Sequence, residues 1–160
     1  MKENNSSIQD QMFQKIVMLN RYHTKDKVDL LYALKKRYGE EVFQIVEKVE
    51  CEKAIMEWQH HAKQNADTSI ESLICLLWEP LKEKGFEFTS EVKGNGIQMK
   101  CTRCPIYEMA KEMKATDLMY YHTCSTDECI ASAFNPQIGF KRTKTLMQGD
   151  DYCDHYYYMK

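Results

Sequence analysis

Hydrophobic residues recur at helical spacing through the first half of the chain. The pattern predicts four helices, from about residue 8 to 19, 26 to 38, 42 to 63 and 70 to 84. Gly39 and Gly85 are expected to end the second and the fourth of them. Thr68 and Glu71 have the spacing of a capping box before the fourth helix, and Pro80 is expected to kink it. This half therefore reads as a helical scaffold.

The hydrophobic period changes after Gly85 from helical to alternating. Apolar residues alternate on both sides of Gly94-Asn95-Gly96, which predicts a β-hairpin. Pro105 favours the first position of a helix, so Cys104 is predicted to be its N-cap. The remaining pattern predicts a helix over 116–133 and a second hairpin, with strands over 138–147 and 152–159.

These elements together predict an α+β fold, with N-terminal helices packed on an antiparallel sheet built from two β-hairpins. A chain of 160 residues is long enough for one domain with its own core. Within this single domain we expect a disordered tail over residues 1–7, a helical part over 8–84, and a hairpin–helix–helix–hairpin part over 85–160 that carries the site.

Composition narrows the function classes. The net charge is −2, which gives no electrostatic case for binding nucleic acid or an anionic membrane. The N-terminus is polar rather than signal-like and no apolar run is long enough to span a membrane, so a cytoplasmic protein is expected. The chain has seven cysteines, so they cannot all be paired, and disulfides are rare in cytoplasmic proteins. Structural disulfides are therefore not expected.

Cys104 has the clearest physical argument for reactivity. A thiol at a helix N-terminus feels the positive end of the helix dipole, which favours the thiolate, and Arg103 adds positive charge beside it. A nucleophile, an anion-binding thiolate, a metal ligand and a small buried residue all remain open at this position. Cys101 precedes it by three residues, but a zinc ribbon needs a second such pair and the sequence has none.

The predicted helix over 116–133 brings a second thiol next to carboxylates. Cys124 shares a helix face with Asp127 and with Glu128, while His122 and Cys129 share another face. A solvated charge is the alternative for Asp127. For Cys129 a core thiol is preferred, and for His122 and Glu128 an ordinary structural or surface role is preferred.

The last predicted strand carries Cys153 and His155 on one face, about 7 Å apart along the chain. With Asp150 from the preceding turn, they could converge on one ligand, metal ion or substrate. The turn Gly149-Asp150-Asp151 is equally what a hairpin needs, because aspartate bonds its own backbone there. The residues alone leave this choice open.

A family resemblance rests on these pieces in order. Cys104-Pro105, Cys124-x-x-Asp127, Phe134-Asn135-Pro136 and Gly149-Asp150-Asp151-x-Cys153-Asp154 resemble the L-2-amino-thiazoline-4-carboxylic acid hydrolase family, over roughly residue 70 to the C-terminus. The last sixty residues are more distantly similar to the vinyl-reductase type of small-molecule-binding domain, which implies an enclosed ligand pocket.

The resemblance implies a hydrolase that opens a small cyclic amidine, with no cofactor expected. The residues assigned to this chemistry are Cys104 or Cys124 as nucleophile, Asp127 or Asp150 as acid or base, and His155 as proton shuttle. Cys153 would contact the substrate.

The substrate carboxylate would need a cation, and Arg142 or Arg103 is expected to pair with it. The alternative function is a sensor without turnover that binds a small molecule or zinc, with Cys124, Asp127 and Cys153 as the zinc ligands. The partner in both cases is a small molecule, and a homodimer is compatible with either.

Overall fold

A computed structural model describes the backbone of residues 2–160 and the side chains from residue 11 onward. The disordered tail expected over residues 1–7 lies outside the fully described residues. The chain divides into two compact units, residues 1–42 and residues 43–160. The single domain expected from the sequence stays a prediction.

The first unit consists mainly of one long helix. Helix α1 spans Lys2–Tyr38, so the first two predicted helices are continuous. No glycine or proline stands between them to interrupt the backbone. The helix ends as expected at Gly39, which has a φ of +84°. Large apolar side chains over residues 12–19 are 45–62% exposed rather than buried. A homodimer, which the sequence allowed, stays a prediction.

Three further helices precede the sheet. Helix α2 spans Glu41–Gln64, as predicted, α3 spans Ile70–Leu77 and α4 spans Glu79–Lys82. The expected capping box is wrong, because Ser69 rather than Thr68 caps α3 and its hydroxyl accepts a hydrogen bond from the Ser72 backbone N–H at 3.2 Å. Pro80 lies in the first turn of α4, so it separates two helices instead of kinking one.

Two antiparallel hairpins form one sheet, which confirms the predicted architecture. Strands β1 (Glu87–Lys93), β2 (Gly96–Arg103), β3 (Ile138–Lys141) and β4 (Cys153–Met159) lie in the order β1-β2-β4-β3. Gly96 is required at the β2–β4 contact, because a Cβ there would lie 2.1 Å from the Tyr157 carbonyl oxygen. In this strand order β4 lies inside the sheet, with β2 on one side and β3 on the other.

The helices between the hairpins are shorter than predicted. Helix α5 spans Pro105–Glu112, α6 spans Thr116–Met119, and α7 spans Asp127–Phe134. A π-helical turn, Tyr120–Cys124, separates α6 from α7, so the continuous helix expected over 116–133 is wrong. The strand expected over 138–147 is also too long: it ends at Lys141, and Leu146–Gln148 forms a 3₁₀ turn.

The core of the second unit lies between the sheet and the helices. Side chains from α2, α3 and α7 pack with inward-facing residues of β2, β3 and β4. Tyr157 of β4 is fully buried, and its hydroxyl accepts a hydrogen bond from the Trp78 indole N–H at 3.3 Å. This bond satisfies two polar groups that would otherwise be buried without partners.

None of the helices in the described part of the chain has the length and the apolar character that a membrane span requires.

The expectation of no structural disulfide is wrong. Cys51 of α2 and Cys129 of α7 are bonded, with their Cα atoms 5.8 Å apart. They are separated by 78 positions in the sequence, so neither spacing nor the odd cysteine count could show the pairing. Cys129 is therefore a cross-link rather than the core thiol predicted for it.

We predict that the protein unfolded without reductant exposes five alkylatable thiols, and seven after reduction, because two of its seven cysteines are paired. Mass spectrometry of the alkylated chain counts them. Replacing Cys129 with serine should lower the free energy of unfolding by about 2–4 kcal/mol. The same change at exposed Cys75 should alter it by less than about 0.5 kcal/mol. Seven labelled thiols before reduction would contradict the pairing.

Candidate functional site

A cavity of about 290 Å³ lies between the sheet and the helices of the second unit. This volume is near the lower end of small-molecule pockets, about 300–1,000 Å³. Its apolar wall includes Leu77, Trp78, Leu81, Phe86, Ile106 and Ile130. The side chains with reactive groups that line it are Cys101, Cys104, Cys124, Asp127, Cys153 and His155. Five of the eight site residues expected from the sequence thus share one cavity.

Strand β4 contributes Cys153 and His155 through simple alternation. Cys153, His155 and Tyr157 are buried, while the residues between them are more exposed, as the strand pattern predicts. The His155 ring contacts Trp78 edge-on with ring centroids 4.9 Å apart, and its centroid lies 5.9 Å from that of Phe140. These aromatic neighbours hold the imidazole in one orientation against the cavity.

The π-helical turn places Cys124 and Asp127. The Ser125 backbone N–H donates to the Tyr120 carbonyl five residues earlier, at 3.0 Å, and α7 then restarts at Asp127. The hydroxyl of Thr126 donates to the Thr123 carbonyl at 2.8 Å, which satisfies a backbone group left over by the break. Cys124 and Asp127 both reach the cavity, although they do not share a regular helix face as expected.

A buried ion pair fixes the Asp127 carboxylate. Its Oδ2 accepts a hydrogen bond from Arg142 Nη1, and His155 Nε2 lies 3.4 Å from the same oxygen. The side chains of Arg142, Asp127 and His155 are only 8%, 16% and 9% exposed. The Arg142 guanidinium also lies over the rings of Tyr120 and Phe140, 5.5 and 5.7 Å from their centroids. The charge of Asp127 is therefore compensated from behind the cavity wall.

Two polar atoms of Asp127 and His155 have no hydrogen-bond partner among the described residues. His155 Nδ1 is buried and has no hydrogen-bond partner within the described part of the chain. Asp127 makes both of its contacts through Oδ2, and among the described residues none bonds its Oδ1. A buried polar atom without a partner is uncommon in native proteins. Both atoms therefore retain an unused hydrogen-bonding position, and Nδ1 is shielded from solvent.

Cys104 caps α5 as predicted, but the expected thiolate is wrong. Its Sγ accepts a hydrogen bond from the Tyr107 backbone N–H at 3.4 Å, in the position of a helix N-cap. Burial raises the pKa of Cys104, and this outweighs the lowering by the N–H groups of Tyr107 and Ile106. The helix terminus therefore moderates the effect of burial but does not favour the thiolate overall.

Two further thiols of the cavity, those of Cys124 and Cys101, also have a raised pKa. Burial and the neighbouring Asp127 carboxylate raise the pKa of Cys124 to about 12, although Arg142 lowers it. Burial likewise raises the pKa of Cys101 to about 12. The Cys153 Sγ accepts from the Leu146 backbone N–H at 3.3 Å and donates to the Thr145 hydroxyl at 3.7 Å. An attacking thiol here would need a base to remove its proton.

Asp150 does not line the cavity, in contrast to its expected catalytic position. Its Oδ2 accepts a hydrogen bond from the Thr145 backbone N–H at 2.8 Å. Asp154 binds the same connection, accepting from the Thr143 and Lys144 backbone N–H groups at 2.8 and 2.5 Å. These carboxylates shape the segment between β3 and β4. The turn alternative is the one that the contacts of Asp150 favour.

The two arginines expected to bind a substrate carboxylate are engaged elsewhere. Arg103 is about half exposed and pairs with Glu108, with Nε and Oε1 2.8 Å apart, while its Nη1 lies 3.8 Å from Glu87 Oε1. Arg142 is committed to Asp127 and lines an open groove outside the cavity rather than the cavity itself. Neither arginine is among the residues that line the cavity.

The zinc set expected as an alternative is not assembled. Cys124, Asp127 and Cys153 line the same cavity, but among the described side chains no three of His, Cys, Asp and Glu lie close enough to hold one metal ion. The Cys153 thiol instead makes hydrogen bonds with Thr145 and Leu146, in the segment between β3 and β4.

Sequence reasoning missed three features of this site. Trp78 contacts His155, and the helical pattern around it carries no signal for this contact. Cys101 continues the apolar alternation of its strand, which suits a core residue; it is buried, but it also lines the cavity. The pairing of Asp127 with Arg142 joins residues 15 positions apart on different elements, for which a single sequence carries no local signal.

Residues 20–157 match the family model described as L-2-amino-thiazoline-4-carboxylic acid hydrolase. The match confirms the resemblance seen in the sequence and extends it into the N-terminal helices. No curated protein matches the chain.

Two solved structures share the fold. A trafficking protein particle complex subunit 3 from Naegleria fowleri, covalently bound to palmitic acid, superposes with a TM-score of 0.55 at 11% identity, over 89% of this chain and 96% of that one. The phenol-responsive sensory domain of the transcription activator PoxR, with phenol, gives 0.53 at 12% identity, over 86% and 74%. These folds are consistent with the distant resemblance to the vinyl-reductase type of domain.

We predict that replacing Arg142 with methionine lowers the free energy of unfolding by about 3–5 kcal/mol, because it leaves the buried Asp127 carboxylate unpaired. Arg103→Met is the matched control: it removes an ion pair at the solvent-exposed surface, so its cost should be much smaller than that of Arg142→Met. Urea unfolding of both variants measures the difference. Equal losses would contradict a buried role for the Asp127–Arg142 pair.

Proposed function

This chain belongs to the L-2-amino-thiazoline-4-carboxylic acid hydrolase family, and from that premise we propose that it hydrolyses small cyclic amidines in the cavity between the sheet and the helices. The observation that carries the proposal is the pairing of His155 with Asp127 at the cavity wall. His155 Nε2 lies 3.4 Å from Asp127 Oδ2, while Nδ1 has no partner among the described residues. A carboxylate beside Nε2 favours the proton there and leaves Nδ1 as a basic lone pair.

His155 is the proposed general base and Asp127 the group that orients it. Water, deprotonated through Nδ1, attacks the amidine carbon and forms a tetrahedral centre. This centre expels either the ring nitrogen or the second ring heteroatom, and the leaving atom takes the proton back from His155. The balance is one water added and one ring bond broken. None of these reaction steps uses an oxidant, a reductant or a cofactor.

The thiols Cys104 and Cys124 are the alternative nucleophiles. Burial raises the pKa of both, so each would attack only after His155 or another base removes its proton. Cys124 has no hydrogen-bond partner in the described part of the chain, whereas Cys104 accepts from Tyr107. Cys124 is therefore the less constrained thiol. A covalent thioimidate adduct on one cysteine would identify this route.

A second candidate function is a binding module without turnover. The apolar side chains of the cavity wall, such as Trp78 and Phe86, favour it, because hydrophobic and aromatic walls are usual for ligand pockets. Both structural neighbours are described with a small organic molecule, phenol in one and palmitic acid in the other. Under this candidate a ligand is retained in the cavity and no ring is opened.

We predict that His155→Gln lowers kcat for ring opening about 100- to 10,000-fold, because it removes the general base without removing bulk. The measurement is the product with the mass of substrate plus one water, quantified by mass spectrometry. Glu128→Gln is the control, since Glu128 is exposed one residue after Asp127 and does not line the cavity.

Cys104→Ala and Cys124→Ala separate the two nucleophiles. If water attacks, both variants keep kcat within about tenfold of the wild type. If a thiol attacks, one of them loses activity as completely as His155→Gln. If the wild-type protein binds the cyclic amidine but does not open its ring, the hydrolase proposal is wrong and the binding module is supported.

A further inference from the structure

We propose that the cavity selects cyclic amidines that carry no carboxylate, with the amidine N–H groups donating to Asp127 Oδ1. The inference rests on the proposed function, whose site it uses, and it departs from the carboxylate that the family name describes. It follows from the charges, the free atoms and the walls of the cavity.

The first observation is the sign of the charge that faces the cavity. Asp127 is the one residue with a formal charge among those that line it, all of which the structure describes. The other polar side chains there are thiols, threonine hydroxyls and the imidazole of His155. A carboxylate on the substrate would be buried beside another carboxylate and without a cation, which is strongly unfavourable.

The second observation concerns the cation nearest to Asp127. Arg142 Nη1 binds Asp127 Oδ2, and its guanidinium lies over Tyr120 and Phe140. Arg142 lines the outer groove and is absent from the cavity wall. A bound molecule inside the cavity is therefore separated from the positive charge by Asp127 itself. An anion there meets the negative partner of the pair first.

The third observation is the acceptor that remains. Oδ1 of Asp127 has no partner within the described residues, and the side chain is 16% exposed. A 2-amino-thiazoline ring presents its exocyclic amine and ring nitrogen side by side, like half of a guanidinium. In the protonated amidine both nitrogens carry N–H donors, and this arrangement suits a carboxylate acceptor.

The apolar walls suit the rest of such a molecule. Trp78, Leu77 and Ile106 give the remainder of a ring an apolar contact surface. A carboxylate on the ring carbon would meet no positively charged side chain among the residues that line the cavity. The cavity therefore matches a small ring with one polar edge.

The test compares 2-amino-2-thiazoline with L-2-amino-thiazoline-4-carboxylate, which share the same ring and differ in the carboxylate. We expect the full-length protein to bind the first at least about tenfold more tightly in calorimetric titration, corresponding to about 1.4 kcal/mol. Equal or tighter binding of the carboxylated compound overturns the inference, as does failure to bind either compound. Binding is measured separately from ring opening. If the protein binds 2-amino-2-thiazoline without opening it, the inference stands and the hydrolase proposal fails.

Asp127→Asn tests the residue that sets the preference. The neutral amide removes the repulsion of the carboxylated ligand, so the ratio of the two dissociation constants should fall towards one. A loss of structure alone would weaken both ligands and leave the ratio unchanged, and an unchanged ratio overturns the role of Asp127. Glu128→Gln should keep the wild-type ratio. If Asp127→Asn does not fold, the double variant D127N/R142Q removes both charges of the pair and serves instead.

Discussion

The site depends on one requirement, that a carboxylate in a largely apolar wall must have a partner. Arg142 meets it from the far side of Asp127, and two aromatic rings cover the guanidinium. Because the compensation comes from behind, the carboxylate can face the cavity without a cation entering it. His155 then takes its place beside the same oxygen. The ion pair thereby determines both the orientation of the imidazole and the charge that a ligand meets.

The architecture was predictable because its signals are local. Alternation around Gly94-Asn95-Gly96 and in the last strand marks the strands, and Pro105 marks the start of α5, so that Cys104 is its N-cap. The same alternation places Cys153 and His155 on the buried face of β4. The strands, their buried faces and the start of α5 could therefore be predicted from the sequence, because each depends on alternation or on a glycine or proline.

The parts that could not be predicted depend on tertiary contacts. The π-helical turn at Tyr120–Cys124 has no glycine or proline to announce it, and hydroxyl side chains stabilise the break only once it has formed. Asp150 looked catalytic because a turn and an active site favour the same residue type, and only its bond to Thr145 separates the two. The thiolate expected at Cys104 fails because burial, which local sequence does not show, raises its pKa more than the helix terminus lowers it.

The central position of β4 has a consequence for how function is lost. Its pairing with β2 and β3 aligns His155 opposite Met99 and Tyr157 opposite Ile97 and Phe140. A slip of a single residue would turn the thiol and the imidazole outward and bring Asp154 and Tyr156 inward. A misaligned strand could keep much of its hydrogen bonding, yet it would present a different chemical surface. The proposed activity would then require the correct strand register, and a compact chain with a misaligned β4 would lack it.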